Sequence, residues 1–187
     1  MINIRTSVFE TNSSSTHAIC ISKSNVNNSR FAKHVSFDFG EFGWEYEEYD
    51  TLYKKASYLY QAICCCCNED EQKDAIDTIT NILKEYGIAC EFEQYDEDKD
   101  EYGWGCGYID HGSETIDFVE AVLNDSDKLL RYLFGDSLVI TGNDNGESFS
   151  DRMYVNEGET VTNWGTYTNY GGLKPEFGKY EVYMKGN

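Results

Sequence analysis

The spacing of apolar residues changes near residue 50, and this change constrains the fold more than any other feature of the chain. Residues 2–9 and 17–22 alternate apolar and polar side chains, which is typical of a strand with one buried face. From about 50 to 67, and again from about 69 to 86, apolar residues recur every three or four positions, as in an amphipathic helix. The sequence therefore predicts strands followed by a pair of amphipathic helices.

Shorter segments extend the prediction along the chain. Apolar runs or alternation predict further strands at 35–39, 88–95, 107–110 and 137–142. Two short helices are expected, one opening at Ser113 and one running from Asp125 to Phe134. The remaining segment, 147–187, is strand-like and rich in Tyr, Gly and Asn.

These elements predict a fold class and some of their own boundaries. Strands and helices come in blocks rather than in clean βαβ alternation, so we expect a single α+β domain, residues 1–187, with a mainly antiparallel sheet. Turn formers from Glu10 to Thr16 suggest that the first two strands form a hairpin. Asn68 is placed to cap the second long helix, and Gly87 to end it.

The net charge restricts the classes of partner. The chain carries 34 acidic and 15 basic residues, a formal charge of −19 at pH 7. Such a surface repels nucleic acid and anionic membranes, so we expect neither as a direct partner. Basic protein surfaces and metal cations remain, and the charge also promotes solubility without any partner. Aromatic residues make up 15% of the chain, which favours a folded protein over a disordered acidic chain.

Cysteine usage and hydropathy indicate the compartment. There are seven cysteines, an odd number, and Cys64 to Cys67 are contiguous, so a disulfide framework is not expected. Cys64 and Cys67 form a C-x-x-C pair without the second pair that zinc would need. No run approaches the roughly 20 apolar residues of a membrane span, and residues 1–12 lack a signal-peptide pattern. We expect a protein of the host cytosol with reduced thiols, no cofactor, and a monomeric or weakly dimeric state.

A run of six hydroxyl and amide side chains, from Thr11 to Thr16, leads into one of only three histidines. Hydroxyl and backbone N–H groups can bind an anion, and His17 could act as a base or metal ligand. The same residues also form Asx and Ser/Thr turns that need no ligand. The run contains no glycine, so it does not predict a P-loop. The candidate catalytic residues here are Ser13, Ser14, Ser15 and His17.

Two further polar segments follow predicted strands. Asp110 and His111 lie at the end of one strand, where a scaffold often fixes catalytic side chains, although a helix cap with a solvated histidine is the alternative. Asp144 lies in the segment TGNDNGES, whose oxygens suit a hard cation, but the spacing does not complete an EF-hand. Asn145 and Gly146 in the same segment favour a hairpin turn instead.

Acidic residues form two clusters that also contain aromatic residues. The first cluster comprises Glu41, Glu45, Glu47, Glu48 and Asp50. The second comprises Glu91, Glu93, Asp96, Glu97, Asp98, Asp100 and Glu101. Carboxylates among rings can imitate a phosphate backbone with stackable bases, and could pair with the arginines and lysines of a nucleic-acid channel. Solvated loops are the alternative for either cluster.

Three segments together resemble a known group of proteins. RTSVFETNSSSTHAICI near the N-terminus, CGYIDHGS in the middle and RYLFGDSLVITGNDNG around residue 140 are similar to a family of small uncharacterised proteins of bacteriophages, prophages and Gram-positive bacteria. The match covers roughly residues 1–22 and 103–146 and is weaker between them. The family has no known activity. The resemblance implies a phage or mobile-element setting and makes a pocket shared by these segments more plausible, although a shared structural core would give the same pattern.

Two hypotheses of different classes follow. In the first, the chain is an acidic phage-type protein that inhibits a host nucleic-acid enzyme, for example a CRISPR nuclease, by occupying its basic groove. In the second, it is a hydrolase or transferase acting on a nucleotide or phosphate ester, with its site around the Ser-rich segment, His17, Asp110 and His111. An acidic enzyme would need a cation to accept a phosphate substrate. The sequence therefore favours inhibition narrowly.

Overall fold

A computed structural model describes residues 2–5, 15–43, 45–94, 107–143, 147–163 and 165–185. The strands are β1 (Ile2–Arg5), β2 (Ser15–Ser22), β3 (His34–Phe37), β4 (Gly40–Phe42), β5 (Glu47–Tyr49), β6 (Ala89–Phe92), β7 (Gly107–Ile109), β8 (Leu138–Asn143), β9 (Tyr154–Thr162), β10 (Gly165–Leu173) and β11 (Tyr180–Lys185). The helices are α1 (Leu52–Cys66), α2 (Glu69–Glu85), α3 (Ile116–Leu123), α4 (Ser126–Phe134) and α5 (Glu147–Met153). The α+β class is confirmed, and so are the long helix pair and the two short helices. The one-domain assignment stays a prediction.

The strands form two antiparallel sheets and two parallel pairs. The larger sheet has the order β11-β2-β8-β5 and the smaller has the order β1-β10-β9, both with antiparallel neighbours. The parallel pairs are β3 with β6 and β4 with β7. The prediction of mainly antiparallel pairing is therefore confirmed, while the parallel pairs were not anticipated. Their strands have only three or four residues each, too few to show a pairing preference in the sequence.

The predicted hairpin between the first two strands does not form. β1 pairs with β10, and β2 lies in the other sheet between β8 and β11. β1 and β2 are therefore consecutive strands of different sheets. Turn-forming residues predict where a strand ends. The strand with which it pairs is set by segments more than a hundred residues away.

Two other assignments were wrong in detail. The first acidic cluster, for which a solvated loop was one interpretation, lies partly in the short strands β4 and β5. The strand-like segment after residue 146 begins with helix α5 before β9, β10 and β11 appear. No hairpin forms after β8, because β8 pairs with β2 and β5 and is followed by that helix. Asn145 and Gly146 themselves lie outside the described residues.

The main core lies between the larger sheet and the helices. Helix α1 is central to it, because it packs against α3, α4 and the strands β3, β4 and β7. Its predicted apolar residues Ala56, Leu59 and Ile63 are fully buried. Tyr58 is also fully buried, and its ring packs edge-on against Phe42 of β4. Among the described residues, no helix is both long and apolar enough to cross a membrane.

Local chemistry sets the boundaries of the long helices. Thr51 caps α1 by accepting a hydrogen bond from the Lys54 N–H. Asn68 caps α2 in a reciprocal capping box, because its side chain accepts from the Glu71 N–H while the Glu71 carboxylate accepts from the Asn68 N–H. Gly87 follows this helix with a positive φ of 72°. The predicted cap and stop are both confirmed.

The capping box predicts a measurable stability effect. Asn68→Ala should lower the free energy of unfolding by about 1 kcal/mol, because two N–H groups of the first turn lose their acceptor. Asn81→Ala is the matched control, since Asn81 is exposed in the middle of the same helix. Urea unfolding measures both variants. Equal stability of the two would show that the Asn68 cap contributes nothing.

Candidate functional site

The Ser-rich segment enters the larger sheet at its most buried strand. Every residue of β2 except Thr16 is buried, because β8 and β11 cover its two edges. The register places His17 between Thr141 on β8 and Lys185 on β11. The first residue of the strand, Ser15, is opposite Asn143. The polar residues at this end of β2 are therefore inside the protein and need partners there.

Ser15 joins β2 to β11 and to the turn after β7. The Lys185 ammonium, only 1% exposed, donates to the Ser15 carbonyl at 2.6 Å and to Ser15 Oγ at 2.7 Å. The Ser15 N–H donates to Asp110 Oδ2 at 3.0 Å, and Ser15 Oγ donates to the Asp110 carbonyl at 3.3 Å. A buried ammonium is tolerated only when oxygens such as these replace its water. We call Ser15, Asp110 and Lys185 the β2 polar cluster.

His17 is held as a neutral ring beside this cluster. Its Nε2 is 3.2 Å from the Gly43 carbonyl, which only accepts, so Nε2 carries the proton. Its Nδ1 therefore accepts from the Tyr58 hydroxyl at 2.9 Å. Burial, assisted by the Lys185 charge, lowers the pKa of His17 to about 3. With both nitrogens occupied and no exposed surface, this histidine acts as a structural link between β2, α1 and the segment after β4.

Asp110 and His111 lie at the surface side of the cluster. β7 ends at Ile109, so the two side chains are not on opposite faces of a strand. His111 has left-handed backbone angles, φ 52° and ψ 40°, and is exposed, with Nε2 3.9 Å from Asp110 Oδ1. Partial burial raises the pKa of Asp110, but the hydrogen bonds from Ser15 and the charges of His111 and Lys185 outweigh it and lower that pKa. Asp110 is therefore an ionised carboxylate between a buried lysine and an exposed histidine.

The structure brings only some predicted site residues together. Ser15, Asp110 and His111 are linked by direct contacts, and His17 lies two residues along β2 from Ser15. Ser13, Ser14 and Asp144 lie outside the described residues. Lys185 and Tyr58, which complete the network, were missed. Neither residue occurs in a polar motif. Lys185 is the last residue of a strand, and Tyr58 is among the buried residues of helix α1.

The first acidic cluster lines a concave surface. Glu41, Glu45 and Glu47 border a pocket of about 450 Å³ together with Tyr49, Tyr108 and Gly43. These three carboxylates have exposed side chains and form no ion pair within the described chain. Glu48 differs, because it forms an ion pair with Arg152 at 2.8 Å. The pocket thus carries local negative charge that the described chain does not neutralise.

The second acidic cluster is described only at its start. Glu91 accepts from the Ser36 hydroxyl at 2.9 Å, and Glu93 accepts from the Phe39 N–H at 2.9 Å. The other members, Asp96, Glu97, Asp98, Asp100 and Glu101, lie outside the described residues. Glu91 on β6 therefore contacts β3, and Glu93 contacts the segment between β3 and β4.

The cysteines and other potential ligands do not form a metal centre within the described ranges. No three residues of the His, Cys, Asp and Glu types are close enough together there to hold an ion. The described cysteines are all free thiols. Burial raises the pKa of Cys66, which is 3.5 Å from Cys67 between the two sulfur atoms, to about 12. Burial also raises the pKa of Cys67, so this pair of thiols is protonated and poorly nucleophilic at neutral pH.

Comparison of the chain with family models, with curated proteins and with solved structures finds no match. The resemblance to phage proteins therefore stays a prediction from the three sequence segments. The candidate functional sites are the β2 polar cluster and the acidic pocket.

The neutral state of His17 predicts an acid sensitivity. In the unfolded chain His17 takes up a proton as the pH falls below its ordinary pKa of 6.5, whereas in the folded protein it does so only near pH 3. The free energy of unfolding should therefore fall by up to about 1.4 kcal/mol per pH unit below 6.5 from this group alone. His17→Gln should remove that part of the slope between pH 6.5 and 5, and His34→Gln, at an exposed position, should retain it. Identical slopes for wild type and His17→Gln would contradict the assignment.

The buried ammonium predicts a large effect of its removal. Lys185→Met should destabilise the protein by about 3 kcal/mol, because it leaves the Ser15 carbonyl without its donor and the Asp110 charge without its neighbour. Lys23→Met is the matched control, since Lys23 also donates to a backbone carbonyl, that of Gly178, but at the surface. Thermal and urea unfolding compare the two. A similar cost for both substitutions would mean that burial of Lys185 has no special importance.

Proposed function

We propose that this chain is an acidic binding protein of phage or mobile-element type that inhibits a host nucleic-acid enzyme by occupying its basic groove. The observation that carries the proposal is the pocket bordered by Glu41, Glu45 and Glu47, whose carboxylates have no cationic partner within the described chain. Three uncompensated carboxylates around a concavity repel each other and are stabilised by an incoming guanidinium or ammonium group. The net charge of −19 attracts such cationic groups over a longer range as well.

The aromatic residues near the pocket support a macromolecular partner rather than a simple cation. Tyr46 and Tyr108 are 41% and 37% exposed, although tyrosine rings gain free energy when they are covered. Tyrosine is also enriched at the centres of protein interfaces. Arginine side chains of a nucleic-acid channel normally meet phosphates and stacked bases. Carboxylates beside exposed rings offer them similar charge and similar stacking surfaces.

A second function is favoured by one observation. His111 is exposed, has a left-handed backbone that is unusual outside glycine, and is next to the ionised Asp110 that contacts Ser15. Such backbone strain occurs often at active sites. The alternative is therefore a hydrolase or transferase in which His111, with Nε2 3.9 Å from Asp110 Oδ1, is the base. His17 does not fit that role, because its buried ring holds no proton acceptor free for substrate.

The inhibitory function predicts a specific ranking of variants. Glu41→Gln, Glu45→Gln and Glu47→Gln together should slow association with an inhibited nuclease on the order of tenfold at low salt, because steering by the pocket is lost. Wild-type association should itself slow as salt rises and the Debye length falls to about 8 Å. The matched control is Asp70→Asn, Asp74→Asn and Asp77→Asn, which removes the same charge from exposed positions on α2. This control should have only a small effect.

The measurement is the association rate with a purified RNA-guided nuclease, at low and high salt, alongside its rate of DNA cleavage. Equal effects of the two triple variants would contradict a localised acidic site. The enzymatic alternative predicts the opposite ranking. His111→Gln would abolish the activity of the protein in cells, and the triple variant at Glu41, Glu45 and Glu47 would retain that activity.

A further inference from the structure

Strand β9 has an open edge in the described structure. It is the last strand of the order β1-β10-β9, so its N–H and C=O groups on the side away from β10 meet no described strand. From Val155 to Thr162 every side chain of β9 is exposed, which means that both faces of the strand are solvated. The strand therefore adds little to the described core. Apart from Tyr154, which packs against a small core cluster, this nine-residue strand is maintained here without an evident folding requirement.

The composition of this edge is unusual for a strand left in water. Val161 is 76% exposed and Val155 is 40% exposed. Branched apolar residues on an open edge favour pairing with another strand, and proteins usually avoid them at unused edges. The pairing of β9 with β10 is regular from Glu159 to Thr162. The irregularity lies next to Gly158, which has a φ of 107° and whose N–H donates to Asn156 Oδ1 at 2.8 Å. Four consecutive residues therefore present a regular edge.

The charges of β9 indicate which strand could pair there. Glu157 and Glu159 are its charged residues, and the strand contains no lysine or arginine. Antiparallel pairing of β9 with a second copy would bring these like charges together and is disfavoured. An extended segment with lysine or arginine side chains would instead form cross-strand ion pairs with them. The open backbone edge and the two glutamates therefore both favour an extended basic segment.

We propose that the edge of β9, at Glu159–Thr162, binds an extended basic segment of a partner protein by β-strand addition. Backbone hydrogen bonds provide the affinity, and Glu157 and Glu159 exclude acidic strands, including a second copy of this chain. The inference shares with the proposed function only the basic character of the partner. It concerns a different sheet and does not use the pocket residues.

The probe is a seven-residue peptide that alternates lysine with valine, added to the full chain at about 150 mM salt to suppress non-specific attraction. The readout is amide hydrogen exchange by NMR. The amides of Glu159–Thr162 that point away from β10 should exchange roughly tenfold more slowly with the peptide. A control peptide of the same charge carries an N-methyl group on every residue, which removes the donors on both of its edges. It should give no protection.

Two variants separate this inference from the proposed function. Glu157→Gln with Glu159→Gln should reduce the protection, whereas the triple Glu→Gln variant of the acidic pocket should retain it. Equal protection by the N-methylated peptide, or by a peptide with glutamate in place of lysine, would overturn strand addition. So would protection that appears without peptide and grows with protein concentration, since the occupant would then be a second copy. If the triple Glu→Gln variant of the acidic pocket loses nuclease inhibition, the protection of β9 by the peptide should be unchanged.

Discussion

The ammonium group of Lys185 is the contact on which the arrangement around β2 depends. It lies in a region of low dielectric, where an ionised group without partners would cost several kcal/mol. The Ser15 carbonyl and hydroxyl replace its water, and the Asp110 carboxylate, held by the Ser15 N–H, supplies the opposing charge nearby. The start of β2, the end of β11 and the turn after β7 are therefore fixed relative to one another by one network. His17 extends it to α1 through Tyr58.

This network gives the polar residues of the Ser-rich segment two different roles. Ser15 and His17 are satisfied inside the protein, so their hydrogen-bonding groups are engaged by the fold. Asp110 and His111 are at the outer side, where a histidine in a strained backbone meets solvent. The distinction matters for function, because chemistry needs a group that a substrate can reach. The acidic pocket differs, since its carboxylates are exposed and form no ion pair within the described residues, although Glu47 accepts a hydrogen bond from the Tyr49 hydroxyl.

The sequence predicts local structure well and distant pairing poorly, for physical reasons. The helix pair, the Asn68 cap and the strands β2 and β8 follow from periodicity and capping chemistry that act over a few residues. The pairing of β1 with β10 and the parallel pairs do not, because register depends on the complete set of competing strands. In the site, Asp110 and Ser15 could be proposed from polar motifs. Lys185 could not, because its partner is 170 residues away and its own surroundings look like an ordinary strand.

The position of β11 beside β2 has a consequence for synthesis of the chain. β2 emerges from the ribosome long before its neighbour, and the two partners Ser15 and Lys185 are separated by 170 residues. At about 5–20 residues per second, the intervening chain takes on the order of ten seconds to make. Until β8 is made, a strand of apolar residues, Ala18 to Ile21, has neither of its native neighbours, and β11 follows later still. The nascent protein must therefore pass through a long period in which its most buried strand is a target for chaperones and for aggregation.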